Sequence, residues 1–131
     1  MQVLENYFVK IMEVEIYQKD GIKVARVVGK GMIIAAAQDA LDLMVHPALE
    51  GARRIIIERQ NIAPDFFDLS TRLASEVLQK FVNYQVKLAI VGDFSDLSKT
   101  FGDFAGESNR GNQIFFCAAI DNAKTKLFSA K

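Results

Sequence analysis

The sequence predicts a single-domain α/β fold: a mostly parallel sheet, an antiparallel hairpin at its N-terminal edge, and about four helices. Three observations indicate this fold. The 131 residues suffice for one core of ordinary domain size. Short apolar runs, typical of strands buried on both faces, alternate with amphipathic helical segments. Such alternation is typical of parallel strands joined by right-handed crossovers, and an Asp-Gly dipeptide near the N-terminus predicts the hairpin.

The predicted hairpin surrounds Asp20-Gly21, a dipeptide that favours the two positive φ angles of a type I′ turn. A two-residue loop places Tyr17 opposite Val24 and Glu15 opposite Arg26 on a mixed face. The other face then carries only apolar side chains and suits a core: Val14, Ile16, Ala25 and Val27.

The first residues match no clean period, and we treat residues 1–11 as an N-terminal extension or arm of uncertain origin. Met12 offers a natural start. The segment is therefore a native strand or arm, the product of an upstream start, or a remnant of cloning. The predicted domain covers residues 12–131.

The middle of the chain alternates two helices with two buried strands. Apolar residues at spacings of three and four predict a helix over residues 33–50, with Pro47 near its end. The runs RRIIIE (53–58) and KLAIVG (87–92) predict the strands. Between them, a long apolar stripe predicts the strongest helix of the chain over residues 64–84.

The C-terminal part adds one helix, one strand and a closing helix. The segment SDLSKTFGDFAGESNRG predicts the first helix, which Gly102 and Gly106 make soft unless another backbone approaches it closely there. QIFFCAAI (113–120) predicts the last strand. Asp121 is then expected to be the N-cap of the closing helix.

Charge and hydropathy exclude several functions. Sixteen Lys plus Arg balance sixteen Asp plus Glu, and no basic run occurs, so we expect no binding to nucleic acid or to an anionic membrane surface. No stretch approaches the ~20 apolar residues of a membrane helix. The N-terminal segment lacks the basic and apolar regions of a secretory signal. We therefore expect a cytoplasmic protein.

Few residues carry the chemistry of a metal site or a nucleophile. Cys117 is the only cysteine and lies in an apolar run, which favours a small buried side chain over a reactive thiol. His46 is the only histidine and precedes Pro47 near a predicted helix end, where capping is its ordinary role. One Cys and one His cannot supply the usual zinc ligands, and no Gly-rich phosphate loop occurs. The sequence thus predicts no metal and no cofactor, and it leans away from an enzyme.

Polar side chains follow two predicted strands at their carboxyl ends, where open α/β sheets bind ligands. Glu58 and Asn61 follow one strand and Asp93 the next, and Glu58 and Asp93 would serve acid–base chemistry if they meet. Arg110 precedes the last strand. We expect it at the opposite edge unless the weak helix stops early. It is either a fork for a carboxylate or phosphate, or a cation at a helix C-terminus.

A second candidate site lies at the opening of the long predicted helix, where Asp68, Ser70 and Arg72 are found. Hydroxyls beside free backbone N–H groups can accept an anion. Capping is the ordinary role of Asp and Ser at that position. Arg72 is spaced to pair with Asp68 one turn along the helix. Both interpretations stay open.

Three segments resemble a bacterial family described as domain of unknown function 4180. They are QDALDLM (38–44), NIAPDFFDLSTRLASEVLQKFVNYQVKLAIVGDFS (61–95), and ESNRG followed by IFF (107–116). The resemblance covers nearly everything from Met12 to the C-terminus. It departs at Ser75, where glycine is usual, and in the glycine content of the helix before ESNRG. The resemblance implies no activity.

The element order of that family is similar to that of STAS domains, so the resemblance implies a STAS-like sandwich. STAS anti-sigma-factor antagonists carry a regulatory serine that follows an aspartate at the start of a helix. Asp68 and Ser70 occupy a comparable place but are separated by Leu69. A phosphorylated Ser70 is implied only by this analogy.

The leading hypothesis is a STAS-like, non-enzymatic regulatory or binding module. It would act through a protein partner or small ligand at the start of the long predicted helix and the adjoining strand-end loops. The rival is a small enzyme or ligand-binding protein that uses Glu58, Asn61 and Asp93, with or without Arg110. It requires these side chains to converge within about 3 Å of a common point. A homodimer through Phe66-Phe67 or the hairpin edge is a third hypothesis, although phenylalanines belong to the core by default.

Overall fold

The computed structural model describes residues 12–131 and places their five strands in one sheet. The strands lie side by side in chain order: β1 (Glu13–Lys19), β2 (Ile22–Val28), β3 (Arg54–Glu58), β4 (Lys87–Val91) and β5 (Ile114–Cys117). β1 and β2 are antiparallel, whereas the other neighbours are parallel. The predicted α/β class is confirmed. The extension predicted for residues 1–11 lies outside the described residues.

Four α-helices cover the sheet in the described part of the chain: α1 (Ala37–Leu49), α2 (Leu73–Asn83), α3 (Lys99–Asn109) and α4 (Ile120–Ser129). The first three contribute to a core on one face, and α4 forms a smaller core on the other. The parallel strands β2 to β5 all start at one edge of the sheet and all end at the opposite edge, whereas β1 runs the other way. We call the side of the sheet at which β2 to β5 begin the amino edge and the side at which they end the carboxyl edge. The candidate side chains are divided between these two edges.

The hairpin has the predicted register. Tyr17 lies opposite Val24 and Glu15 opposite Arg26. Asp20 and Gly21 have φ angles of 53° and 80°, as a type I′ turn requires. Two residues of the predicted apolar face, Ala25 and Val27, are fully buried.

Helix α1 begins at Ala37, later than the start predicted over residues 33–50. Ile34 instead forms a parallel bridge with Ile62. Its amide donates to the carbonyl of Asn61 at 3.0 Å. Asp39 closes the first turn of α1 by accepting hydrogen bonds from two preceding backbone amides. Ile34 thus fits a helical period but lies in an extended segment that contacts the chain after β3.

The long helix predicted over residues 64–84 is broken, and only Leu73–Asn83 is α-helical. Pro64–Phe67 and Leu69–Thr71 form two 3-10 turns before it. Arg72 then has a φ of 67°, a left-handed conformation that interrupts the helix. The apolar stripe spans the break because the turns bury Phe66 and Phe67 in the same core as α2. Both phenylalanines are core residues, which is the default role given to them in the sequence analysis.

One expectation for the C-terminal part is wrong, and one of two alternatives for α3 does not hold. Asp121 is not the N-cap of α4, because Ala119 takes that position and Asp121 lies in the first turn. Within residues 12–131, no atom approaches α3 closely at its glycines. A Cβ built on Gly102 or Gly106 meets no atom within 4 Å, and α3 runs unbroken through both.

Candidate functional site

A cleft of about 620 Å³ opens at the carboxyl ends of β3 and β4, and we call it the carboxyl-edge cleft. Its walls come from the loop after β2, the 3-10 turns after β3 and the loop after β4. The apolar lining is Met32, Ile62, Pro64, Phe67, Val91 and Leu97. The charged lining is Glu58, Arg59, Asp68 and Asp93. This volume and mixed lining are typical of small-molecule sites.

Arg59 is the cation among the residues described as lining this cleft, and its charge is already compensated. Its guanidinium donates to both carboxylate oxygens of Asp96, at 2.6 and 3.0 Å, and to the carbonyl of Asp93. Its central carbon lies 5.0 Å from the ring centroid of Phe67 and 5.8 Å from that of Phe94. These contacts make Arg59 part of the wall rather than a free anion-binding group.

Asp68 and Asp93 are the exposed carboxylates of the cleft, and each is hydrogen-bonded by the serine two residues further on. The amides of Ser70 and Ser95 donate to them at 3.0 and 2.9 Å, and Ser70 Oγ donates to Asp68 at 2.6 Å. Hydrogen bonds from the side chain and amide of Ser70 lower the pKa of Asp68, and those of Ser95 lower the pKa of Asp93. Both groups are therefore ionised at neutral pH and are weak general bases.

Glu58 is the last residue of β3 and lies opposite Val91 of β4. Its carboxylate lies 3.6 Å from the guanidinium of Arg26, which also lies 3.7 Å from Glu15. Glu58 and Asp93 thus line the same cleft, as predicted from the strand ends. Each has a partner of its own, so the structure does not join them as an acid–base pair.

Asn61 belongs to the fold beneath the cleft rather than to its lining. Its side chain is 1% exposed, and its Nδ2 donates to the carbonyls of Gly29 and Gly31 at 3.0 and 2.8 Å. Its own carbonyl accepts from the amides of Ile33 and Ile34. Asn61 therefore fastens the loop after β2, which carries Met32, to the end of β3.

Ser70 and Arg72 lie beside the cleft and do not line it. The premise that they open an α-helix is wrong, because a 3-10 turn occupies residues 69–71 and α2 starts at Leu73. Asp68 caps that turn by accepting from the Ser70 amide, so its capping role is confirmed. Arg72 is exposed and is the left-handed residue before α2.

Arg110 lies at the amino edge of the sheet, away from the other candidates. α3 does not stop early, and Arg110 follows its last residue and pairs with Glu107 at 2.6 Å. The rest of ESNRG ties α3 to β5. Ser108 Oγ donates to the carbonyl of Ile114, and the side-chain amide of Asn109 pairs with the backbone amide and carbonyl of Phe116. This motif fixes an element of the fold and does not join the carboxyl-edge cleft.

Sequence reasoning did not select Arg59, Asp96 or the two rings beside them as site residues. A signal was present, since Arg59 directly follows Glu58 at a strand end and the loop DFSD (93–96) follows the next strand. The guanidinium joins these two loops across adjacent strands. Only the register of β3 against β4 brings them within hydrogen-bond distance.

The fold and the cleft define a mixed α/β domain with an acidic, partly apolar cleft at the carboxyl edge of its sheet. Residues 19–127 match the protein family described as Domain of unknown function (DUF4180), and the chain belongs to that family. The resemblance found in the sequence is thereby confirmed. A search of curated proteins found no significant match.

Residues 12–131 contain neither a helix that could cross a membrane nor a cluster of metal ligands. None of their helices combines the length and the apolar character needed to cross a membrane. No group of three or more His, Cys, Asp or Glu side chains among them is placed to hold a metal ion.

Proposed function

We propose that this domain is a STAS-like, non-enzymatic binding module that holds a small organic cation in the carboxyl-edge cleft. One observation supports it above the others. Glu58, Asp68 and Asp93 share an apolar-walled cleft in which the lining cation, Arg59, is already neutralised by Asp96. The charge that remains in the cleft is negative.

The ligand class follows from the two halves of the lining. The exposed carboxylates of Asp68 and Asp93 attract an ammonium or guanidinium group. The rings and aliphatic side chains, among them Phe67 and the half-exposed Met32, suit an apolar body attached to it. An anionic ligand would meet like charges, which disfavour its binding.

The proposed absence of catalysis rests on the same carboxylates. A general base works best when its pKa lies near the working pH. Hydrogen bonding moves the pKa of Asp68 and Asp93 in the other direction, below their ordinary value. Such groups hold a cation well and abstract a proton poorly.

The test is a titration with phenethylamine, a primary ammonium on an aromatic body, beside 2-phenylethanol, its neutral analogue. Amide chemical shifts of the ¹⁵N-labelled protein are followed by NMR. We expect the amine to shift Met32, Gly92 and Asp93 and to bind at least about fivefold more tightly than the alcohol. The matched variants are Asp68→Asn and Asp93→Asn, with Asp42→Asn on α1 as the control.

Removing one of two attracting charges is expected to weaken amine binding about twofold to fivefold, since an exposed ion pair contributes roughly 0.5 to 1 kcal/mol. The Asp42→Asn variant should bind as the wild type does. Equal affinity for the amine and the alcohol contradicts the proposal. So does the absence of shifts around the cleft at millimolar amine.

Ser70 offers a route by which such a module would be regulated. It is exposed, and its Oγ donates to Asp68, which lines the cleft. A phosphate there adds roughly 1.5 to 2 negative charges next to the carboxylate. We expect Ser70→Asp to change the affinity for phenethylamine about twofold to threefold, in the direction of tighter binding. Ser129→Asp on α4 is the control. An unchanged affinity in Ser70→Asp would remove Ser70 from any regulatory role at this site.

A further inference from the structure

The amino edge of the sheet carries a second cleft, of about 550 Å³, which is lined by cations. We call it the amino-edge cleft. Lys23 lies near the start of β2, Arg53 and Arg54 at the start of β3, and Lys87 at the start of β4. No Asp or Glu side chain is among the described residues that line it.

Helix ends explain why cations gather at this edge. Lys23 donates to the carbonyl of Glu50 after α1, Arg53 to that of Tyr84 after α2, and Arg54 to those of Leu127 and Ala130 at the end of α4. Each cation satisfies helix carbonyls that have no partner within the helix. The parallel topology brings these helix ends together at one edge, and the cations with them.

Capping does not exhaust the charge of these side chains. Lys131 also lines the cleft, which brings its cationic side chains to five. A helix C-terminus carries about half a negative charge, so three of them compensate less than half of these cations. Capping does not exhaust their hydrogen bonding either. An ammonium has three N–H donors and a guanidinium five, and Lys23 and Arg53 each spend one on a helix carbonyl. Burial lowers the pKa of Lys87, and the nearby positive charge of Arg54 adds a smaller effect in the same direction. Like charges are therefore crowded here.

From this geometry we infer that the amino-edge cleft is a binding site for a small oligoanion, of the class of diphosphates and longer phosphate chains. The cations lie on three adjacent strands. In the strand register, Arg54 lies opposite Lys87. The register of β2 against β3 places Lys23 opposite Arg53. Strands are spaced roughly 4.8 Å apart, so the row spans about 10 Å, which exceeds the reach of one phosphate group.

The lining favours phosphate over a ligand that carries a ring. Beside the cations, the polar side chains of the cleft are the amides Gln85, Asn112 and Gln113, which offer further N–H donors. No aromatic side chain is among its described lining residues, so it has no stacking platform for a nucleobase. This site lies on the edge opposite the carboxyl-edge cleft and does not depend on the function proposed there.

The test measures the binding of inorganic tripolyphosphate and of orthophosphate to the full chain by calorimetry, at low and at physiological salt. We expect tripolyphosphate to bind at least tenfold more tightly than orthophosphate and to weaken steeply with salt. Lys23→Gln and Lys87→Gln should each reduce its affinity about fivefold. Lys99→Gln, which changes an exposed cation on α3, is the matched control.

Chemical-shift mapping on the wild-type protein keeps the test decisive if a variant fails to fold. Tripolyphosphate should shift the amides of Gly21, Gly51 and Asn112, and those of Gly92 and Asp93 should stay in place. The inference is overturned if tripolyphosphate shows no saturable binding, or if it shifts amides outside the amino-edge cleft. It is also overturned if the double variant Lys23→Gln with Lys87→Gln binds tripolyphosphate as tightly as the wild type. Tighter binding of a single-stranded oligonucleotide than of tripolyphosphate would also overturn it and would assign the cleft to nucleic acid.

Discussion

Asn61 is buried beneath the carboxyl-edge cleft and positions the loop after β2, which forms one wall of that cleft. Its side chain bonds the carbonyls of Gly29 and Gly31, so the variant Asn61→Ala leaves both carbonyls without that donor. Each lost bond costs about 1 kcal/mol, and a buried group left unpaired costs more. We expect the free energy of unfolding to fall by about 2–3 kcal/mol in a urea titration.

The neighbouring exposed residue Gln60 supplies the control for this experiment. It lies in the same 3-10 turn, and we expect Gln60→Ala to change the stability by less than about 0.5 kcal/mol. If Asn61→Ala is equally mild, the loop after β2 is held by its backbone contacts with Asn61 and not by the side-chain amide.

Cys117 illustrates a residue whose environment the sequence predicted well. Its place in an apolar run indicated a buried side chain, and Cys117 is 7% exposed in the smaller core. Burial raises its pKa, and this outweighs the opposite effect of Lys126. We expect Ellman's reagent at pH 8 to label the native protein on the order of 100-fold more slowly than the urea-unfolded chain, since labelling requires opening of the core. Comparable rates would show that the C-terminal end of β5 opens readily.

At the scale of elements, two glycines at different places in the fold should respond to alanine in opposite directions. A Cβ on Gly92, directly after β4, would lie 2.8 Å from the Cβ of Arg59. Gly92→Ala is therefore expected to cost about 1–3 kcal/mol and to displace Arg59 from the cleft wall. Gly102 lies inside α3 with open space around it, so Gly102→Ala should stabilise the protein by about 1 kcal/mol.

Thermal or urea unfolding of the two variants checks this pair. Loss of stability in Gly102→Ala would mean that the helix needs its glycine for a reason other than space. A neutral Gly92→Ala would mean that β3 and β4 shift apart easily, and then the bonds of Arg59 to Asp96 would not be a rigid part of the cleft.

Strands were easier to predict than helix boundaries in this chain. A buried strand is set by a short apolar run, and the runs at 53–58 and 87–92 end within one residue of the observed strands. A helix start depends on competing contacts. Ile34 fits a helical period but pairs with Ile62, a contact of long sequence separation. Arg72 adopts a left-handed φ inside an unbroken apolar stripe, which periodicity alone does not reveal.

At the scale of the whole molecule, a formal net charge of zero hides a separation of charge between the two sheet edges. β2, β3 and β4 begin with Lys23, Arg54 and Lys87 at or near their first residue, whereas carboxylates follow β3 and β4. The sequence contains this pattern, but the net charge does not show it because opposite charges cancel. A search for basic runs does not show it either, because the cations are far apart in the sequence. Parallel topology converts it into one basic and one acidic edge.

The candidate site was predicted only in part. The rule that ligands bind at strand ends placed Glu58 and Asp93 in one cleft. It misplaced Asn61, whose side chain turns inward to bind the preceding loop. It also missed Arg59, since an ion pair with Asp96 across two loops depends on strand register.

Acid should lower the stability of the domain through the carboxylates of the carboxyl edge. Hydrogen bonds from Arg59 lower the pKa of Asp96, and those from Ser70 and Ser95 lower the pKa of Asp68 and Asp93 from the ordinary value of 3.8. In the unfolded chain these groups regain that value, so over this range of pH the unfolded state binds more protons. The stability they contribute is fully present above about pH 5 and is lost as the pH falls through their lowered values.

Urea midpoints measured from about pH 6 down to about pH 2.5 would record this loss. We expect Asp96→Asn to flatten the acid limb, because that variant no longer carries the titrating group. At pH 6 it should be less stable than the wild type, since Arg59 loses its carboxylate partner. If Asp96→Asn, Asp68→Asn and Asp93→Asn all keep the wild-type slope below pH 4, acid unfolding starts elsewhere, and the hydrogen bonds at the cleft do not stabilise the ionised carboxylates in solution.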